Sequence, residues 1–142
     1  MTANDKTLWT QDDFEKMCWH DSTVNSISID NPDEGYEFNL VFGLDYIVSW
    51  EPGEHYFESR PFVLTFRNVD HLHIHVSRTY KQHLEISRIE RVEISSEGEK
   101  DAGLSVFKYT IHFDAFCGQS ASTIEFTATG FTQASAGQPP VG

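Results

Sequence analysis

From Tyr36 to Trp50 every even-numbered position is apolar: Tyr36, Phe38, Leu40, Phe42, Leu44, Tyr46, Val48 and Trp50. The odd positions hold Glu37, Asn39, Val41, Gly43, Asp45, Ile47 and Ser49. A helix would scatter the even set around its circumference, whereas an extended strand puts all eight on one side. The pattern predicts a strand over 36–50, long enough to bend, with Gly43 as the place for a bulge. Shorter alternations recur at Ile27 and Ile29, at Phe62, Leu64 and Phe66, and at Leu72, Ile74 and Val76. They recur again at Phe107, Tyr109, Ile111 and Phe113, and at Ile124, Phe126 and Ala128. The stretch 84–94 is less regular but β-branched. Turn-forming runs separate these segments: "NPDEG", Pro52-Gly53, "SSEGEKDAG" and "DAFCGQSAS".

The start of the chain follows another rule. Thr10 fits an N-cap with Asp13 three residues on, an acidic variant of the capping box. Trp9 and Phe14 hold the positions of a hydrophobic staple, and Phe14, Met17 and Cys18 share one helical face. The prediction is therefore a mainly β fold bordering on α+β. It is a bent antiparallel sheet or β-sandwich of six to seven strands with one short N-terminal helix. A length of 142 residues suits a single β-rich domain over 1–142, with 1–8 and 134–142 as loose termini.

Charge narrows the functions. Asp and Glu number 22 against 10 Lys and Arg, a formal net charge of -12. Such a chain is poorly suited to nucleic acid or to an anionic membrane surface. It suits a basic protein partner, although an acidic surface also serves solubility alone. The opening "MTANDKTLWTQDD" lacks the basic and apolar regions of a signal peptide, and no apolar run reaches the length of a membrane span. Cys18 and Cys117 fall in no metal-ligand spacing. The expectation is a cytoplasmic protein with reduced thiols, Cys18 being buried and inert on its helix face.

The densest candidate chemistry is "DHLHIHVS", where His71, His73 and His75 alternate with Leu72, Ile74 and Val76. Neighbouring histidines of this set stand about 7 Å apart along a strand and can share an ion only with a ligand from another strand. His112 or Asp114 would be that ligand. The leading reading is instead the wet face of a strand, with no metal. The alternative is a metal-binding protein or metal-dependent enzyme using His73, His75 and His112.

"HDS" at His20-Asp21-Ser22 holds the residue types of a hydrolytic triad, but adjacent residues point to alternate sides and no nucleophile elbow is present. Asp45 sits among aromatics, where a carboxylate can act as an acid, yet no partner is identifiable. Neither a phosphate loop nor a dinucleotide fingerprint occurs, so no cofactor is expected. No catalytic residue is assigned, and a non-enzymatic role is favoured. Two further options follow from the strands themselves. The aromatic faces could line a small-ligand cavity, and a long edge strand could pair with a second copy to give a homodimer.

The stretches "WHDSTVNSISID", "FGLDYIVSW", "FVLTFRNVDHLHI" and "IEFTATGFTQ" carry a resemblance. Their order resembles a family of small uncharacterised bacterial proteins with a Trp-His-Asp start, an Asp-Tyr-Ile strand, a Thr–Phe–Asn-Val segment and a Gly-Phe-x-Gln end. Those positions are Trp19, His20 and Asp21; Asp45, Tyr46 and Ile47; Thr65, Phe66, Asn68 and Val69; and Gly130, Phe131 and Gln133. Thr65 stands closer to Phe66 than in the family pattern. A looser likeness is to bacterial toxin-immunity proteins, which share the aromatic-His-Asp opening. That likeness implies a small, cytoplasmic, acidic protein that blocks a toxin. Together these readings give a non-catalytic binding protein with an acidic surface for a basic partner. The residues expected to bind it are Trp19, His20, Asp21, Asp45 and Trp50.

Overall fold

The computed structural model describes residues 6–32, 35–50, 57–77, 83–114 and 122–136, without the side chains of Ser49, Trp50 and Phe57. Nine strands are found among them: β1 (Leu8–Thr10), β2 (Thr23–Asp30), β3 (Asn39–Trp50), β4 (Phe57–Arg67), β5 (Asp70–His75), β6 (Ile86–Glu93), β7 (Phe107–Phe113), β8 (Thr123–Ala128) and β9 (Gly130–Ser135). They form a five-stranded sheet, ordered β1-β9-β4-β3-β2, and a four-stranded sheet, ordered β5-β8-β7-β6. Every pairing is antiparallel.

The parity read along β3 sets the core. Leu40, Phe42, Leu44 and Tyr46 are buried, in register with Phe66, Leu64, Phe62 and Arg60 of β4. The four-stranded sheet answers with Ile86, Tyr109, Ile111, Phe113, Ile124 and Phe126. Phe66 is the hub where the sheets meet, its ring centroid 4.9 Å from Tyr109, 4.7 Å from Phe126 and 5.6 Å from Phe131. Each such ring taken out of water contributes about 1.5–3 kcal/mol before entropy is counted.

Two strand pairs carry the chain from one sheet to the other. At the first corner β4 passes into β5 through Asn68 and Val69, and at the second β8 passes into β9 through Thr129. The corners are stitched together: Thr129 N–H donates to Arg67 C=O at 3.0 Å, and Asn68 Nδ2 donates to Thr129 Oγ1 at 3.1 Å. Asn68 takes a left-handed φ of 54°, which asparagine tolerates better than most residues. This corner is why the alternation lapses at "RNVD".

Several expectations change in detail. The long strand begins at Asn39, and Tyr36 is fully exposed. The bulge lies across from Gly43, in β2 between Val24 and Ser26, and the Ser26 side chain lies close over Gly43. A methyl group there would sit 2.5 Å from Ser26 Oγ, which Gly43 N–H uses as an acceptor at 3.2 Å. The two strands beyond the expected six to seven are β1, only three residues long, and β9, which splits from β8 at the second corner. Leu8, Ala134 and Ser135 therefore belong to paired strands, not to loose termini: Leu8 pairs with Ala134, and Ser135 with Phe62. Residues 1–5 and 137–142 lie outside the described residues.

The N-terminal helix is a 3-10 turn over Gln11–Lys16, with Asp13 Oδ2 accepting Thr10 N–H at 2.8 Å. It rests across the end of the sandwich. The Phe14 ring lies 5.6 Å from Trp19 and 6.4 Å from both Tyr109 and Phe131. Arg91 of β6 clamps it, with its guanidinium 4.3 Å over Phe14 and Nη1 donating to Gln11 C=O at 2.9 Å. Trp9, assigned to a staple with Phe14, packs edge-on against Tyr46 at 5.9 Å. The helix stops before Cys18, which is exposed and not buried as its face position implied. A second short helix, α1 (Glu97–Asp101), forms in the loop expected to be fully irregular, capped by Ser96 Oγ accepting Glu99 N–H at 3.1 Å. No helix among the described residues is long and apolar enough to cross a membrane.

Candidate functional site

The motif residues converge at one end of the sandwich. Trp19 is buried, and its indole N–H donates to Gln133 Oε1 at 2.8 Å. Its ring centroid lies 5.8 Å from Phe131 and 6.4 Å from Tyr46. Tyr46 Oη accepts Cys18 N–H at 3.0 Å, which fastens the turn after the helix to β3. Burial holds the Tyr46 phenol above its ordinary pKa, with the Cys18 N–H as a smaller opposing influence, so it stays neutral. Desolvation raises the Tyr109 phenol likewise.

The Trp-His-Asp and Asp-Tyr-Ile motifs thus each have a buried and a solvent-facing part, whereas Gly130, Phe131 and Gln133 are all buried. Trp19, Tyr46, Phe131 and Gln133 make the anchor, while His20, Asp21 and Asp45 emerge beside it. Trp19, expected among the contact residues, is only 4% exposed and lies two residues before Asp21. The side chain of Trp50 lies outside the described residues, as does the loop holding Glu51, Glu54 and His55.

The solvent-facing parts open onto an acidic notch of about 250 Å³ lined by Asp21, Thr23, Asp45, Ile47, Ser59 and Glu85. Main-chain pairing brings its acids together from distant parts of the chain. Asp21 N–H donates to Ile86 C=O at 2.9 Å, and Asp114 N–H donates to Glu85 C=O at 2.9 Å. Thr23 is paired with Asp45 on one side and bridges to Glu85 on the other. Carboxylate oxygens of Asp21, Glu85 and Asp114 lie within 4.8 Å of one another. Asp21 adopts a left-handed φ of 65°, which turns the chain sharply between the buried Trp19 and β2. His20 stands at the rim, Nε2 3.5 Å from Asp21 Oδ2 and Nδ1 3.3 Å from Ser87 C=O.

Among the described residues no lysine or arginine forms an ion pair with Asp21, Asp45, Glu85 or Asp114. Three converging carboxylates repel one another and attract a compact cation. An ammonium or guanidinium group from a partner meets that demand through charge-assisted hydrogen bonds, and a hard divalent cation would meet it through oxygen ligands.

The histidine strand is arranged differently. Pairing of β5 with β8 jumps from Asp70–Thr127 to His73–Glu125, and His71 takes a φ of 51°. Beyond the bulge the alternation resumes, with His73 and His75 exposed and Ile74 opposite the buried Ile124; Ile74 and Val76 are nevertheless 50% and 36% exposed, because β5 is the edge of its sheet. His75 and His112 both flank Thr123, leaving their backbones two strand spacings apart, about 10 Å. His112 Nε2 faces Glu90 Oε1 at 3.3 Å. Among the described residues the group close enough to share an ion is the carboxylate trio, and His73, His75 and His112 are not part of it.

Asp21 and Asp45 were visible as candidates in the sequence, and Asp114 only as a partner for the histidines. Glu85 gave no signal, because its place depends on how β6 meets β2. Comparison with protein-family models, with curated proteins and with solved structures found no match to this chain.

Proposed function

We propose that this is a non-catalytic binding protein whose acidic surface receives a basic protein partner, in the manner of an immunity protein neutralising a toxin. The observation that carries the reading is the acid cluster at the notch: Asp21, Asp45 and Glu85 line it, and carboxylates of Asp21, Glu85 and the exposed Asp114 lie within 4.8 Å of one another. Gathering acids this closely works against the fold, and a cationic guest turns that cost into affinity. The formal net charge of -12 adds a long-range field that speeds encounter with a cationic surface.

The test is calorimetric titration with a tetralysine peptide at low and high salt. The expected result is binding that weakens steeply with salt and falls in Asp21→Asn and Glu85→Gln variants. Affinity indifferent to salt, or untouched by both substitutions, would rule the acidic notch out as the recognition surface.

A further inference from the structure

The edge strand β2 meets different surroundings at its two ends. Its start is tied to the opposite sheet: Val24 N–H donates to Leu84 C=O and Ile86 N–H to Ser22 C=O, both at 2.8 Å. Past the bulge between Val24 and Ser26, no strand flanks its outer side among the described residues. An edge strand turns the N–H and C=O groups of alternate residues outward, which is a template for another strand.

The side chains add to this. Ile27 and Ile29 lie opposite Phe42 and Leu40, both fully buried, yet are themselves 38% and 57% exposed. Past the bulge, the core-facing side of this strand is left only partly covered. Edges are usually blunted by lysine, proline or an inward-pointing charge. In β2 the bulge protects the start and Asp30 places a charge at the end, but Ser26, Ile27, Ser28 and Ile29 between them carry neither charge nor proline. A shallow groove of about 460 Å³ follows the strand past Asn25, Ser26, Ile27 and His83, and shares Thr23 with the acidic notch.

We infer that the basic partner docks as an added β-strand on β2. Its backbone pairs along 26–30, an apolar side chain covers Ile27 and Ile29, and a Lys or Arg further along reaches past Thr23 to the carboxylates of Asp21, Glu85 and Asp114. The inference rests on the acidic-surface reading above and supplies its contact geometry. In strand addition the main chain provides affinity and alternate side chains provide specificity. Charge selects the occupant. A second copy would bring another chain of net charge -12 and a second acidic notch to the same edge, whereas a cationic extended segment complements both features. At about 3.4 Å per residue, a segment of roughly eight residues spans the edge and the notch.

The probe is an acetylated, amidated octapeptide of alternating Val and Thr with Lys at both ends, together with its two alternately N-methylated versions. The expected result has three parts. The parent peptide binds and slows amide exchange over Ser26–Asp30. One N-methylated version, the one that blocks the amides facing β2, loses binding while the other keeps it. Ile27→Lys and Ile29→Lys, both at exposed positions, each weaken binding by about tenfold or more.

Absence of binding by the parent peptide overturns the inference, as does equal binding by both N-methylated versions. Binding that needs Glu85 but leaves the β2 amides unprotected overturns strand addition while the acidic-surface reading survives. Protection along β2 that ignores both salt and Glu85→Gln sinks the acidic-surface reading, and with it the Lys or Arg placed in the notch. A dimer seen by light scattering and dissolved by Ile29→Lys assigns the edge to a second copy and overturns the inference.

Discussion

The indole N–H of Trp19 donates to the side-chain oxygen of Gln133 at 2.8 Å, inside the core and across 114 positions of chain. The bond joins the segment before β2 to the last strand, and it fixes the turn from which Asp21 projects. Gln133 is fully buried, and its Nε2 has no hydrogen-bond partner among the described residues. Its oxygen is therefore the half that matters.

Replacing Gln133 with Leu is expected to destabilise the fold by about 1–3 kcal/mol, because it strands a buried indole donor. Trp19→Phe removes that donor but leaves space behind the smaller ring. The double variant Trp19→Phe, Gln133→Leu should cost less than the sum of the two, with a coupling of about 1 kcal/mol in urea unfolding. Strict additivity would mean that the bond contributes nothing beyond packing.

A second expectation concerns Gly43. A methyl group there would crowd Ser26 Oγ, and the serine would have to rotate away and give up the Gly43 N–H. Gly43→Ala should lower stability by about 1 kcal/mol despite the usual gain from reducing backbone freedom. Ser26→Ala in the same chain should recover part of that loss. If Gly43→Ala is as stable as the parent, the close approach carries no cost.

How much of this could be read from the chain depends on the range of the cause. The inward set of β3 follows from parity alone, and Leu40, Phe42, Leu44 and Tyr46 are where alternation puts them. The Asp13 cap is local and was equally legible. The wet face of the histidine strand was legible too: His73 and His75 are exposed opposite Glu125 and Thr123, and only the bulge at His71 had no sign in the sequence. The corner at Asn68 depends on Thr129, and the notch depends on Glu85 meeting Asp21 and Asp114. Those relations exist only after distant strands have paired, so no window of the sequence contains them.

The crowding of acids beside the notch also bears on stability. Carboxylates gathered within 4.8 Å repel one another, so Glu85→Gln should stabilise the fold. The gain should be a few tenths to about 1 kcal/mol at low salt and should shrink as salt is added, since these groups are partly solvated. Thermal or urea unfolding at two ionic strengths measures it. A loss of stability on neutralising Glu85 would mean that the carboxylate is a structural hydrogen-bond acceptor, not a site held open for a cation.

Acid should loosen the N-terminal turn before the sandwich. Asp13 accepts Thr10 N–H at 2.8 Å and lies 3.3 Å from Lys6 Nζ. The backbone hydrogen bond, aided by Lys6 against a smaller opposing effect of burial, lowers its pKa from an ordinary value of 3.8. A carboxyl with a depressed folded-state pKa stabilises fully above its unfolded value, and that stabilisation is lost as pH falls through the folded one. The Asp13 contribution is therefore complete at neutral pH, declines below about pH 4, and is gone once the group is protonated in both states. Asp13→Ala should cost about 1 kcal/mol at pH 7, the usual scale of a lost helix cap, and much less in strong acid. Because Phe14 carries the turn onto Trp19, Tyr109 and Phe131, the change should register in tryptophan fluorescence as well as in unfolding. Equal destabilisation by Asp13→Ala at pH 7 and at pH 2 would show that the side chain acts by packing and not as a charged acceptor.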